Sequence, residues 1–184
     1  ELDPMPGGSV HCCQPPCAKS FFAQRPDLTP SNTVCAVFNG GFGNFVASGQ
    51  ESLLWSWLPD LLYLSECDFL CIFSCANDYA DLKGEVAVHA ALLGSRFVVA
   101  PRRNPFAMAT VYSGELGDGG SKEWFNGNAF LYVTCGCDIS KRHTDVEDVS
   151  LEDPGARRRM LGKVLASART GEHEVSTADP PLLS

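Results

Sequence analysis

Thr33-Val34-Cys35-Ala36-Val37-Phe38-Asn39-Gly40-Gly41-Phe42-Gly43-Asn44-Phe45 opens the stretch that decides the fold, which runs on to Asn104-Pro105-Phe106. From Thr33 to Phe106 the order reads strand, glycine turn, helix, strand, helix, strand. Val34 to Phe38 is apolar throughout, as a buried strand would be. After the turn, Ser48 and Glu51 have the spacing of a capping box. Leu53, Leu54, Trp57, Leu58, Leu61 and Leu62 follow at steps of three and four, which makes one broad helical face. Pro59 has no amide hydrogen and is expected to kink or end that helix. Phe69 to Cys75 is the second buried strand, and Asn77 or Asp78 is placed to cap the helix after it. Leu82, Val86, His89, Ala90 and Leu93 form that helix's inner stripe, and Gly94 ends it. Arg96 to Ala100 is the third strand, stopped by Pro101. Helices between successive strands imply parallel pairing. The expected fold class is α/β: a Rossmann-like three-layer sandwich with a mainly parallel sheet and a C-terminal helix.

Working outward, residues 1–32 are rich in proline, glycine and serine and read as a flexible tail or linker. Beginning at Glu1, the sequence reads as a fragment or processed piece. Residues 33–140 form the α/β domain, with a short strand near Ala109 to Ser113, a glycine-rich loop from Gly114 to Ser121, and a strand from Asn128 to Cys135. Residues 141–170 are a charged connector and a helix that Asp153-Pro154 opens, with Met160, Leu161, Val164, Leu165 and Ala168 on one stripe. Residues 171–184 read as a disordered tail.

Composition narrows the function. There are 14 basic and 22 acidic side chains, a net charge of −8, which repels phosphate backbones. The one dense basic cluster, Arg157-Arg158-Arg159, reads as a solvated helix face. No apolar run reaches the ~18 residues of a membrane helix; Pro59 and Asp60 interrupt the longest, Ser52 to Leu64. The nine cysteines include Cys35, Cys71 and Cys75 in apolar runs, where a free thiol packs as a small hydrophobe. Their odd number argues against a disulfide framework and for a reducing, intracellular compartment. No C-x2-C pair is present, so no metal or cofactor is expected; His11, Cys12, Cys13 and Cys17 read as a free-thiol tail. Cys135-Gly136-Cys137 could be a redox pair, but reads first as packing.

The candidate site is the edge where the strands end. Asn39, Gly40, Gly41 and Gly43 follow the first strand, Asn77, Asp78 and Asp81 the second, and Asn104, Pro105 and Phe106 the third. In a parallel sheet these turns meet at the carboxyl ends, where ligands bind. Glycines there let backbone amides approach a phosphate or nucleoside, and an acid can accept from ribose hydroxyls. The plain alternatives are a tight turn, a helix cap and a rigid Asn-Pro turn. His89 falls on an apolar stripe and reads as a core histidine. No serine elbow, histidine metal pair or Walker lysine appears, and no catalytic residue is assigned.

The segment from Val37 to Cys137 resembles the mitochondrial splicing suppressor 51-like C-terminal domain of MYND-type zinc-finger proteins. The match rests on Phe38-Asn39-Gly40-Gly41-Phe42-Gly43, Trp57-Leu58-Pro59, Cys75-Ala76-Asn77-Asp78-Tyr79-Ala80-Asp81-Leu82, Pro101, Asn104-Pro105-Phe106 and Asn128. The family commonly has Asn-Pro-Gly where this chain has Asn39-Gly40-Gly41, and the cysteine spacing of the MYND finger itself is missing here. The resemblance implies a non-catalytic regulatory domain that binds protein partners in translational or transcriptional control. The alternative is a small-ligand enzyme, a transferase holding S-adenosylmethionine or a nucleotide at the strand ends.

Overall fold

The computed structural model describes residues 8–11, 17–76, 81–108, 111–114, 123–148 and 153–170. In chain order the elements are α1 (Ala18–Gln24), β1 (Val34–Phe38), α2 (Phe45–Ser48), α3 (Ser52–Glu66), β2 (Leu70–Cys75), α4 (Lys83–Val88), β3 (Ser95–Arg103), β4 (Val111–Gly114), β5 (Glu123–Asn126), β6 (Phe130–Cys137), α5 (Asp145–Asp148) and α6 (Pro154–Thr170). A π-helical turn, His89–Leu93, continues α4 to Gly94, whose φ of 62° makes the left-handed stop. The expected tail at 171–184 lies outside the described residues.

The fold is α/β, built on a four-stranded mixed sheet in the order β1-β2-β6-β3, with β4 and β5 paired apart from it. β1 and β2 are parallel, while β6 runs antiparallel to both its neighbours, β2 and β3. The expected parallel neighbours β2 and β3 are therefore separated by the last strand. β6 alternates cleanly: Tyr132 and Thr134 are buried towards the helices, and Leu131, Val133 and Cys135 face the other way. Such a strand can be hydrogen-bonded on both sides, and it replaces the all-parallel arrangement.

The layers also differ from an α–β–α sandwich. Val37, Cys71, Phe73, Phe97 and Tyr132 join one buried cluster with Leu54, Leu58 and Leu61 of α3, Val86, Ala87 and Val88 of α4, and Met160 and Val164 of α6. α4 is buried from Gly84 to Val88, with Tyr132 of the sheet bonded to it on one side and α6 on the other. The order is sheet, inner helices, C-terminal helix. On the far face of the sheet Val34 is 55% exposed and Phe38 68%, so β1 is an edge strand with an open face. The apolar run had suggested a strand covered on both faces, but only Val37 of β1 is fully buried.

Local details correct other expectations. Within the supposed linker, α1 docks on the body: Phe22 stacks on Phe69 at 4.3 Å, and Asp60 accepts from the Cys17 and Ala18 amides at 2.9–3.0 Å. That carboxylate caps the first turn of α1 from a distant helix. Ser48 opens no helix; it ends α2, donating from Oγ to the Asn44 carbonyl, and Gly49 follows at φ 70°. Glu51 instead accepts from Trp55 Nε1 at 2.6 Å. Pro59 does not end α3, which continues to Glu66. Pro101 does not stop β3 either; it lies within the register shift between Val99 and Arg102 on an edge strand, where a missing donor is tolerated. α6 opens at Pro154 as expected, and Asp153 caps it, accepting from Gly155 and Ala156.

Candidate functional site

β1, β2 and β3 run the same way, because β6 is antiparallel to both β2 and β3. Asn39 and Asn104 therefore end at one edge, as expected; Asn77 and Asp78 lie outside the described residues. What organises that edge is Asn128, just before β6, held at φ 55°. Its amide donates to Asn39 Oδ1 at 3.2 Å, its carbonyl accepts from Asn104 Nδ2 at 2.8 Å, and its Oδ1 accepts from Ser74 Oγ at 2.7 Å. The Asn39 amide donates to the Ser74 carbonyl at 2.7 Å and the Asn104 amide to the Ala129 carbonyl at 2.9 Å. The asparagines thus tie four strand ends to one another. Asn104 Oδ1 also accepts from the Phe106 amide at 3.0 Å, so Asn104-Pro105-Phe106 is a side-chain-closed turn. It leaves the Phe106 ring 87% exposed.

The glycine turn is packed against protein. Gly41 takes φ 68°, which favours glycine, and Asn39 precedes it at φ 50°. A β-carbon on Gly40 would stand 2.9 Å from Val37 Cγ1. Gly43 lies backbone to backbone with Gly84 at the start of α4: a β-carbon on Gly84 would come within 2.5 Å of Gly43 Cα. Phe42 and Phe45 are both buried, so the turn plugs its aromatic rings into the core. Gly43 thus serves close helix packing, while Gly40 and Gly41 shape the turn itself.

Behind the turn lies a buried polar row that the sequence reading passed over apart from Asp81 and His89. Asp81, Glu85 and His89 recur every four residues on one helical face, and that period-four recurrence of polar residues was the signal available. Tyr132 Oη donates to Glu85 Oε2 at 2.8 Å, and Asp81 Oδ2 accepts from the Ala76 amide at 3.3 Å. Burial pushes the Glu85 carboxyl up to about 8; the Tyr132 hydrogen bond works against this, Asp81 adds to it, and the Gly41 amide opposes it. His89 Nδ1 pairs with Ser95 Oγ at 2.8 Å, and burial alone takes its pKa down to about 3. The neutral imidazole sits among the rings of Phe73, Tyr132, Phe42 and Phe97 at 4.8–5.9 Å. Glu85, His89 and Tyr132 can hold and share protons, but all are fully buried.

Elsewhere the charged clusters divide among separate partners. Arg157 lies over the Trp55 ring at 5.4 Å, and Arg159 pairs with Asp145 at 2.6 Å. Cys135 Sγ donates to the Asp68 carbonyl while Cys137 Sγ accepts from Arg142, so these two cysteines have different partners. A cleft of about 260 Å³ between the starts of α3 and α6 is lined by Glu51, Pro154, Arg157, Arg158 and Leu161, away from the strand ends. Among the described residues no group of three histidine, cysteine or carboxylate side chains could hold a metal, and no helix is long and apolar enough to cross a membrane. No family model, curated protein or solved structure matches the chain.

Proposed function

We propose that this chain is a non-catalytic protein-interaction domain of a regulatory protein of the MYND zinc-finger type, acting in translational or transcriptional control by binding a protein partner. The observation that carries this reading is how the strand-end edge uses its side chains. The Asn39 and Asn104 side chains both bond to the Asn128 backbone, the Asn128 side chain bonds to Ser74, and Gly43 of the glycine turn packs on α4. A ligand site would turn such groups outward. Outward stand Phe38 on one edge strand and, past the other, Phe106 and Met108, which follow the exposed Arg102 and Arg103. Apolar anchors with flanking arginines suit a protein surface that offers an apolar pocket and acidic neighbours. We further infer a Rossmann-like plan for β1, β2 and β3, into which β6 is inserted.

The test compares the full chain with a Phe38→Asp, Phe106→Asp double variant in quantitative co-purification from cells. The reading expects a saturable partner whose recovery falls at least tenfold, ~1.4 kcal/mol, with the melting temperature unchanged. Nucleotides and S-adenosylmethionine are titrated in parallel. A melting temperature that climbs with the concentration of either would overturn the proposal in favour of a transferase.

A further inference from the structure

We propose that Cys35 and Cys71 form a reversible thiol–disulfide pair, a modification site on the free edge of the sheet addressed by hydroperoxides. The two residues are direct register partners on parallel neighbours β1 and β2. Adjacent strands stand about 4.8 Å apart, inside the ~4.4–6.8 Å Cα separation a disulfide spans. Both side chains point to the helix side, and both thiols are free. The two side chains are neighbours across the strand pair, and the Cys71 S–H donates to the Phe69 carbonyl at 3.5 Å.

Their proximity makes the two sulfurs unequal. The neighbouring Cys71 side chain holds the Cys35 thiol below the ordinary range, while Cys35 and burial push Cys71 up. Cys35 is half-buried and on the edge strand; Cys71 is fully buried one strand in. The accessible sulfur is thus the better thiolate, and the protected one is placed to resolve it. In the first step the Cys35 thiolate attacks a peroxide oxygen: an S–O bond forms, the O–O bond breaks and hydroxide leaves. The sulfur is oxidised to the sulfenic acid and the peroxide is reduced. Cys71 then loses its proton and attacks the Cys35 sulfur; the S–S bond forms, the S–O bond breaks, and the departing hydroxide takes up the proton as water. In sum, two thiols and one hydrogen peroxide give one disulfide and two waters.

Closing the bond needs a small approach of the two Cβ atoms, since side chains in register on parallel strands stand slightly wider than in a relaxed disulfide. β1 can supply it, because only β2 pairs with it among the described strands. A bond made this way is readily reduced and suits a switch better than a permanent staple. It would clamp the edge strand, and with it the glycine turn, to the rest of the sheet.

Cys137 is the natural competitor, since its sulfur accepts from Arg142 Nη2 at 3.0 Å. The reduced full chain is given graded hydrogen peroxide, quenched, alkylated and digested with chymotrypsin without reductant. The expected product is a Cys35–Cys71 linked pair about 2 Da lighter than the two thiol peptides, removed by dithiothreitol. It should form at least ~10-fold faster than Cys137 is oxidised. Cys71→Ser should leave Cys35 as a sulfenic acid that dimedone traps. Should that buried substitution impair folding, Cys35→Ser reads the same pair from the other side: the link vanishes and Cys71 stays a thiol. Recovery of Cys35 and Cys71 as separate alkylated peptides after Cys137 is consumed would overturn the proposal, as would a link that forms only in denaturant.

Discussion

Gly84 has no room for a β-carbon, because the Gly43 backbone occupies the space: the added atom would lie 2.5 Å from Gly43 Cα and 2.6 Å from its carbonyl carbon. Backbone cannot swing aside as a long side chain can, so Gly84→Ala should cost ~3 kcal/mol or more through displacement of α4. Urea denaturation measures it, and a cost under ~1 kcal/mol would show that the turn and helix are not held in this contact. At the same scale, burial moves two neighbouring groups in opposite directions. Glu85 rises from 4.5 to about 8, and His89 falls from 6.5 to about 3. Between those Glu85 values the folded chain keeps a proton that the unfolded chain has released, so stability falls as pH rises. Between those His89 values the unfolded chain binds a proton that the folded chain does not, so stability rises with pH. The slopes oppose one another from 4.5 to 6.5, which predicts a plateau there, an acid limb below it and a decline from 6.5 to about 8. Asp27, Asp138 and Asp145, held below the usual range by their partners, steepen the acid limb. Glu85→Gln keeps an acceptor for Tyr132 and should abolish the alkaline decline, which in the parent amounts to about 2 kcal/mol between pH 6.5 and 8. Denaturation midpoints across the range decide it; parallel curves for the two proteins above pH 6.5 would rule it out.

At the scale of elements, the strand ends are joined by asparagine side chains, with Asn128 as the hub. Asn128→Ala removes the acceptor for Ser74 Oγ and puts a β-carbon at φ 55° without the side chain that tolerates it, for ~2–3 kcal/mol. Asn128→Gly keeps the backbone free and loses only the hydrogen bond, so it should cost ~1 kcal/mol. Equal losses in the two variants would mean that backbone conformation plays no part. This network also marks what the sequence could and could not tell. β1, β2, α4 with its glycine stop, and α6 with its Pro154 start were legible, because local period and boundary residues specify them. The meeting of Asn39 with Asn104 followed from strand direction alone. The place of β6 was not legible, since pairing between residues far apart leaves no local trace. Nor was α1, whose N-terminal cap comes from Asp60 across the fold. Asn128 as hub depends on that same insertion, so its role became visible only with the sheet order.

Taken as a whole, the molecule is lopsided. Among the described residues the main burial lies on one side of the sheet, where α4 is enclosed between the strands and α6, while Val34, Phe38 and Ile72 face outward. Stability and recognition should therefore separate by face. Met160 and Val164 of α6 are fully buried against the inner helices, and they stand in for the second helical layer that a doubly wound sheet would have on its other side. Met160→Ala should cost ~2–4 kcal/mol by lost transfer energy and the cavity left behind. Ile72→Ser, on the open face, should change stability by no more than ~1 kcal/mol, because much of the side chain already meets solvent. The contrast is read from denaturation midpoints of the two variants beside the parent chain. An Ile72→Ser cost as large as that of Met160→Ala would mean that the far face is covered in solution, by another part of this chain or by a second copy. Sedimentation of that variant then separates the two: loss of a dimer identifies the copy, and an unchanged monomer identifies the chain's own cover.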